Sequence, residues 1–594
     1  MKPASFKGGV KRNRHDLGHN CPTRFDTARA RRNNESCDGG VCVMRGPAVL
    51  KEMGDGRWLL EARPNDARAL RALARFGFAE PRRALGNLAS LAPTPREADL
   101  LLPALPRLIG ELASAPDPDM ALNNLERFAS LVDRSVLYAT LAAHPEAAYL
   151  LATLGGSSEA LSDTLRRHPT FLPWLLDPRA MRQWQPDELA RELELHLAPF
   201  SEPGHRLNAL RRFKSRHFLR IGCRDLLGDA DLTVTTEELS RLADACVDAA
   251  WRLTEEALRK RYGVPLTPGG EEAGLVVIAM GKLGGEELNY SSDIDILFVY
   301  SEEGMTSGGQ DGRLPNGEYF ARVAQGIVAA LESVTEEGYA FRVDLRLRPE
   351  GRFGAPVLSL EGYRSYYAER AEFWERQALI KARPCAGDAQ VGLAFLELVR
   401  PYVYRAGVNR EIVARIRAMK RRIDRGLRQR GQETRNVKLG IGGIREIEFL
   451  VQALQLLYGG DDPWLREPNS VRAIFRLTER GYLTPALGRL LSRAYTFLRT
   501  VEHRLQIVHE VQTHTLPDDP AALGLLARRM GIALPSPRSR TRFLAEYRIL
   551  TRDVHRAFRE FFRTRSAGKV QRTRIPSLLA LRATGFADPL RARQ

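Results

Sequence analysis

Val276-Val-Ile-Ala-Met-Gly-Lys-Leu-Gly-Gly-Glu-Glu-Leu-Asn-Tyr-Ser-Ser-Asp-Ile-Asp-Ile-Leu-Phe-Val-Tyr300 is the stretch that decides the fold. An apolar run enters a Gly-rich turn, a short polar loop follows, and Asp293 and Asp295 open a second apolar run. Side chains alternate across a strand, so residues two apart share a face. The two carboxylates therefore project together from the start of a strand that is otherwise apolar. Carboxylates held that close repel and raise each other's pKa unless a cation sits between them. Mg²⁺ suits such a place, because it takes one or two carboxylates together with phosphate oxygens and water. The pattern points to metal-assisted phosphoryl or nucleotidyl transfer.

A third carboxylate lies downstream. Phe341-Arg-Val-Asp-Leu-Arg-Leu-Arg-Pro349 alternates strictly and predicts a strand with Val343, Leu345 and Leu347 on one face. Arg342, Asp344, Arg346 and Arg348 fall on the other. Asp344 completes a triad with Asp293 and Asp295 if the two strands are neighbours, and two ions there would flank the attacking and leaving oxygens of an in-line displacement. Arg346 and Arg348 offer forked donors to phosphate oxygens. The same alternation also fits an exposed sheet face on which the arginines pair with Asp344.

Gly281-Lys282, ten residues, Asp293-x-Asp295 and a distant Asp344 resemble the DNA polymerase β-like nucleotidyltransferase superfamily. Lys282 departs from the Gly-Ser or Gly-Gly usual there. The longer string Gly281 to Asp295 resembles the bifunctional glutamine synthetase adenylyltransferase/adenylyl-removing enzyme, where Lys is normal at that place. Trp374-Glu-Arg-Gln-Ala-Leu-Ile-Lys-Ala-Arg-Pro384, Val437-Lys-Leu-Gly-Ile-Gly-Gly-Ile-Arg-Glu-Ile-Glu-Phe449, Val501-Glu-His-Arg-Leu-Gln506 and Gln512-Thr-His-Thr-Leu-Pro517 resemble it too. The resemblance runs from about residue 100 onward. Family members carry two nucleotidyltransferase modules, each followed by a helical domain; one removes AMP from a tyrosine of glutamine synthetase by phosphorolysis, the other attaches AMP from ATP.

One Gly-turn/Asp-x-Asp constellation is present, and the chain resembles the N-terminal, adenylyl-removing half. The resemblance implies an α+β fold, a polymerase β-like sheet embedded in helices and followed by an all-α bundle. It further implies catalytic and metal-binding roles for Asp293, Asp295 and Asp344, with two Mg²⁺ ions as cofactor. Gly281, Gly284 and Gly285 are expected to let the backbone approach nucleotide phosphates. Lys282, Ser291 and Ser292 are expected to touch phosphate oxygens, and Arg346 or Arg348 the attacking inorganic phosphate. The partners implied are glutamine synthetase, nucleotide and a PII signalling protein. A polynucleotide nucleotidyltransferase and a non-catalytic fragment that binds glutamine synthetase are the alternative readings.

The chain has 594 residues, 44% of them hydrophobic, as in ordinary globular proteins. No apolar run nears the roughly 20 residues needed to span a bilayer, and no secretory signal opens the chain. Six Cys are scattered; Cys21, Cys37 and Cys42 lie in the first segment and read as reduced thiols. A cytoplasmic location is expected. Net charge is +18, which ordinarily suggests nucleic acid, but much of it is Arg spread through an Ala/Arg/Leu-rich chain, so nucleic acid is not the expected partner. The densest basic run, Arg415 to Arg425 with Arg428 and Arg430, predicts a helix with Ile416, Met419 and Ile423 on its apolar stripe. Its basic side reads either as a solvated face or as a surface for an acidic partner.

The expected organisation is a disordered basic extension over 1–55, a nucleotidyltransferase domain with an N-terminal helical part over 65–390 and its sheet at about 274–386. A helical bundle over 400–566 and a linker toward a second module over 567–594 follow. Asn123 to Val132 and Tyr319 to Leu331 have helical spacing. His144 and His168, each before a Pro, read as helix caps. Trp464, Tyr495, Phe497 and Phe543 are candidate core aromatics. His503, His509 and His514 share no helical face and are expected to pack or cap rather than bind metal.

Overall fold

The run Leu275–Ala279 is a strand buried along its whole length, and alternation explains why every residue is apolar. Leu275, Val277 and Ala279 point into one hydrophobic core; Val276 and Ile278 point into another. The computed structural model describes residues 47–405, 407, 411–429, 431–532 and 537–566. Five strands form the main sheet: β1 (Leu275–Ala279), β2 (Ile294–Tyr300), β3 (Val343–Asp344), β4 (Val357–Ser359) and β5 (Arg383–Gly387). Their order is β3-β2-β1-β5, with β4 also pairing β2. β1 lies antiparallel to β2 and β5, while β3 and β4 run parallel to β2.

A parallel pair needs a crossover. Between β2 and β3 it is a helix at Asn316–Glu332, which covers the face of the first core with Phe320, Val323 and Ile327. The helix expected over Tyr319 to Leu331 is this one. Alternation in β2 sends Ile294, Ile296 and Phe298 to the first core and Leu297 and Val299 to the second. Asp295, and Asp293 just before the strand, are in phase with Leu297 and Val299. The carboxylates thus look toward the second core.

The first core is built by helices between Pro47 and Tyr262, including α1 (Leu232–Tyr262), whose N-cap Asp231 accepts from the Val234 N–H. A short helix, α2 (Gly281–Gly284), forms the Gly turn. The second core is built largely from α3 (Glu411–Gln429), α4 (Ile444–Tyr458), α5 (Pro485–Gln506) and neighbouring helices. In α3 Ile416 is buried with Met419 and Ile423 packed beside it, as the stripe predicts. Lys420 departs from the expected basic face: it is buried and pairs with Glu446 at 3.1 Å. The two cores meet at the end of α5, where Glu159 N–H donates to the Val508 carbonyl (2.8 Å). The fold is α+β, with a small mixed sheet inside helices and a helical assembly after it.

Some expectations need correction. Residues 1–46 and 567–594 lie outside the described residues, as do Cys21, Cys37, Cys42 and Arg430. Of the extension expected over 1–55, the described part is ordered: Pro47–Met53 is helical and buries Val49 and Met53. The strand expected through Phe341 to Pro349 is only β3. The Arg346 N–H donates to Asp344 Oδ1 (2.8 Å), an Asx-type turn that breaks the extended chain. Glu350 and Gly351, at φ of 59° and 60°, then complete the bend. Trp464 is not core: it is 43% exposed, with the Arg476 guanidinium 4.4 Å from its ring. Tyr495 and Phe543 are buried. His144 and His168 occupy helix-end positions by their backbones, but their rings cap nothing. His144 contacts Glu146 and His168 contacts Glu337.

Candidate active site

Register sets the site. Asp295 in β2 is the direct partner of Asp344 in β3, and alternation puts Asp293 on their face. Burial first, then the neighbouring Asp344 charge, pushes the Asp295 carboxyl up to about 6; Asp293 adds to this, while Lys438 and Lys282 pull it back. Asp344 goes the other way. Burial would raise it, but the Arg346 guanidinium and backbone N–H hold it below the usual carboxylate range.

Arginines hold two of the three carboxylates. Arg342 Nε donates to Asp293 Oδ1 (2.6 Å), and its other nitrogens reach the Ser291 carbonyl (2.6 Å) and the Tyr339 hydroxyl (3.0 Å). Arg346 Nε donates to both Asp344 oxygens, at 3.0 and 2.8 Å. Arg348, expected beside Arg346, is spent elsewhere: it donates to the carbonyls of Gly354 (3.1 Å), Leu345 (3.2 Å) and Arg352 (3.0 Å). Arg348 therefore staples the loop after β3 and has no fork left for phosphate.

The glycines of the turn divide into two kinds. Gly281 has φ of +54°, and a Cβ there would stand 2.3 Å from Asp295 Oδ2, so its bareness serves the carboxylates. Gly284 is bare for packing: a Cβ would meet the Lys381 carbonyl at 1.9 Å. At Gly285 the nearest atoms would be Glu287 Oε2 and the Pro468 carbonyl, both at 3.1 Å. Neither of these two faces an open phosphate cradle. Ser291 is buried with its hydroxyl unpartnered, and Ser292 is half-buried next to Asp293.

Lys282 also departs from expectation. Its side chain is only 15% exposed, and its Nζ lies 3.3 Å from both oxygens of Glu502 in α5. Burial pushes the ammonium down to about 7 against the pull of Glu502. Burial would raise Glu502, but Lys282, His514 and Arg499 hold it well below the carboxylate range. Glu502 also accepts from Asn289 Nδ2 (2.7 Å). Arg499 donates to the Glu287 carbonyl (2.6 Å), and His503 Nε2 lies 2.8 Å from Asn289 Oδ1. Helix α5 thus holds the loop between the Gly turn and the carboxylates. Sequence reasoning missed this grip. Its signal was available: Glu502 falls in the stripe Leu491, Tyr495, Leu498, where an apolar residue is due.

Among the described residues no three acidic, imidazole or thiol side chains stand as a ready group around an ion. The donor chemistry nevertheless fits Mg²⁺: hard carboxylate oxygens, one of them destabilised as an anion by burial and by its neighbours. Arg346 engages both oxygens of Asp344, whereas the Arg342 bond to Asp293 is made to Oδ1 alone.

A sheet-edge carboxylate cluster beside a Gly turn, backed by helices, marks the class as that of nucleotidyltransferase domains. Sequence comparison finds two segments similar to known families. Residues 148–398 match the family described as Glutamate-ammonia ligase adenylyltransferase, and residues 410–562 that described as GlnD PII-uridylyltransferase. The first matched segment is thus similar to a glutamate-ammonia ligase adenylyltransferase domain, and the helical segment after it to the PII-uridylyltransferase type. It is 39% identical over 416 residues to a bifunctional glutamine synthetase adenylyltransferase/adenylyl-removing enzyme of Nitrosococcus oceani, covering 69% of this chain and 42% of that protein. Proteins of the same name from Pseudomonas aeruginosa (41% over 349 residues, 59% and 35%) and Aromatoleum aromaticum (41% over 372 residues, 62% and 39%) are similar. The chain spans about two fifths of the length of the relatives it matches. No described helix is long and apolar enough to cross a membrane.

Proposed function

We propose that this chain removes AMP from an adenylylated tyrosine of glutamine synthetase by phosphorolysis, releasing ADP. The observation that carries the reading is the pairing of Asp295 with Asp344 beside Asp293 in a segment similar to the adenylyltransferase family. The chain's likeness to the adenylyl-removing half favours removal over attachment.

In this reading Asp293, Asp295 and Asp344 hold Mg²⁺, which when bound supplies neutralising charge for the phosphoryl oxygens. The chain's own residues orient the substrate. Gly281 leaves room beside Asp295, and Arg346, once free of Asp344, offers a mobile cation at the rim, its side chain 74% exposed. An oxygen of monohydrogen phosphate forms a bond to the AMP phosphorus as the bond to the tyrosine oxygen breaks, and the phosphate proton passes to that oxygen. The products are ADP and an unmodified tyrosine. Glutamine synthetase is the protein substrate, and a PII signalling protein is the proposed regulator.

The test is incubation of the chain with adenylylated glutamine synthetase, Mg²⁺ and phosphate. Phosphate-dependent ADP is expected. AMP in place of ADP, or incorporation of AMP from ATP into the unmodified protein with no ADP from the modified one, would refute removal by phosphorolysis.

A further inference from the structure

Arg342 brackets Asp293. Its Nε donates to Asp293 Oδ1 (2.6 Å), its Nη2 donates to the Ser291 carbonyl (2.6 Å), and its own carbonyl accepts from the Ile294 N–H (2.9 Å). One residue thus holds the chain just before Asp293, the Asp293 carboxylate and the amide just after it. The remaining guanidinium nitrogen, Nη1, donates to the Tyr339 hydroxyl (3.0 Å).

The bracket is itself anchored. On one side of Arg342, the Ala340 N–H donates to the Leu331 carbonyl (2.9 Å) in the last turn of the crossover helix. On the other side, the Val343 N–H donates to Glu332 Oε1 (2.7 Å). Arg342 therefore ties Asp293 to the end of the helix that joins β2 to β3.

The two arginines on the carboxylates differ in kind. Arg346 takes both oxygens of a residue two positions away. Arg342 reaches from one strand to the approach of another and uses Oδ1 only; among the described residues Asp293 Oδ2 makes no hydrogen bond. A carboxylate pinned through one oxygen keeps the other for an ion, and little side-chain freedom is left to lose when the ion binds. A nearby guanidinium also repels a cation, which opposes this effect. Water weakens that repulsion, since 39% of the Arg342 side chain is exposed, but it does not undo the aim given by the contacts. The same exposure makes the ion pair a small contributor to the fold.

We propose that Arg342 is a positioning residue for the metal site: it fixes Asp293 through Oδ1 and presents Oδ2 to the divalent ion, so that it raises metal affinity. The inference rests on reading Asp293 as a metal ligand, and on neither the protein substrate nor the direction of the reaction.

The test is electron paramagnetic resonance titration of Mn²⁺ against the full chain. Arg342→Gln should weaken binding about tenfold or more, with circular dichroism and urea midpoint unchanged. Arg342→Lys keeps the charge but not the fork, and should recover only part of the loss. Tyr339→Phe removes one anchor and should lose less, in the same direction. In an Asp293→Ala background no carboxylate remains to be aimed, so adding Arg342→Gln should change affinity by less than about twofold; a merely structural lesion would persist there. Equal or tighter binding in Arg342→Gln, full recovery by Arg342→Lys, or an undiminished loss in the Asp293→Ala background would overturn the proposal. Should Arg342→Gln fail to fold, native affinity in both Arg342→Lys and Tyr339→Phe would overturn it, and weakened binding in both would support it. Binding is read without turnover. A chain that binds Mn²⁺ in this Arg342-dependent way yet forms no ADP from the adenylylated protein would keep the positioning role and sink the proposed function; a native chain that binds no Mn²⁺ would overturn both.

Discussion

Asp295 and Asp344 face each other across the parallel strands β2 and β3 as register partners. The chain reaches that pairing only by crossing over through the Asn316–Glu332 helix, so the site depends on long-range packing as well as on a local motif. A register slip of one residue would turn Asp344 to the opposite face and leave Asp295 beside an apolar side chain.

Removing either carboxylate should remove activity and spare the fold. Asp295→Asn and Asp344→Asn are each expected to slow ADP formation by a factor on the order of 10³ or more, because groups that act as a unit fail together. The double variant should be hardly slower than either single one. Rates with adenylylated substrate, beside far-ultraviolet circular dichroism, check this; near-normal turnover in either variant would remove that residue from the site.

Gly281→Ala tests the close approach of backbone and carboxylate. The residue sits at φ of +54°, and an added Cβ would stand 2.3 Å from Asp295 Oδ2. The left-handed conformation alone costs an L-residue about 1–2 kcal/mol, and the contact must also displace Asp295. A lowered urea midpoint together with lost activity is expected. Gly270 is a suitable control: it too has positive φ, but nothing lies near its Cβ position.

Much of this was readable in the sequence. Strict alternation and a fully apolar run gave β1 and β2, the turn between them, and the shared face of Asp293 and Asp295. Three things were not readable. The alternation of residues 341–349 resembles a long strand, yet the Asp344 side chain captures the Arg346 N–H and ends it after two residues. Arg348 satisfies loop carbonyls, a need invisible until the loop is closed. Lys282 resembles a phosphate ligand locally, but its partner Glu502 is more than two hundred residues away on α5. Local pattern fixes which face a residue takes; it does not say what the rest of the chain brings against that face.

The buried grip of α5 on the Gly turn should show in stability. Glu502→Met leaves the buried Lys282 and Arg499 without their shared ion-pair partner. Breaking one side of a buried pair costs about 3–5 kcal/mol. Adding Lys282→Met should restore a substantial part, since two apolar side chains replace two buried charges. Urea denaturation of the three variants measures the coupling; a double variant no more stable than Glu502→Met would mean the pair is not a unit.

Buried histidines predict an acid-sensitive fold. Burial, aided by Arg499, lowers His503 to about 3; burial, against the pull of Glu192, lowers His217 to about 4. Unfolded, both rings take up a proton near pH 6.5, which the native chain refuses until far lower pH. The unfolded state thus binds more protons between these values, and stability falls as pH falls from about 6.5 toward 4, by roughly 1.4 kcal/mol per pH unit for each ring. Asp295, raised to about 6, works in the opposite direction over part of this window. The difference between native chain and variant isolates the ring: His503→Asn should flatten the pH dependence of the urea midpoint by one proton. An unchanged slope would mean that His503 is already protonated in the folded protein.

The arginine on Asp344 predicts a competition between guanidinium and metal. Arg346 holds Asp344 through two hydrogen bonds from Nε, yet its side chain is 74% exposed, so the pair is worth little to the fold. A divalent ion at Asp344 must displace that guanidinium, and whatever the pair contributes is subtracted from the metal's affinity. Arg346→Ala should therefore bind Mn²⁺, used as a spectroscopic stand-in for Mg²⁺, several-fold more tightly than the native chain. Chelator should abolish activity in both. If Arg346 also steadies substrate once released, the variant will turn over more slowly although it binds metal better. Electron paramagnetic resonance titration of free Mn²⁺ separates the two effects from turnover. Weaker Mn²⁺ binding in Arg346→Ala would show that the arginine supports the metal site instead of competing with it, and would reverse the account of how the carboxylates are prepared.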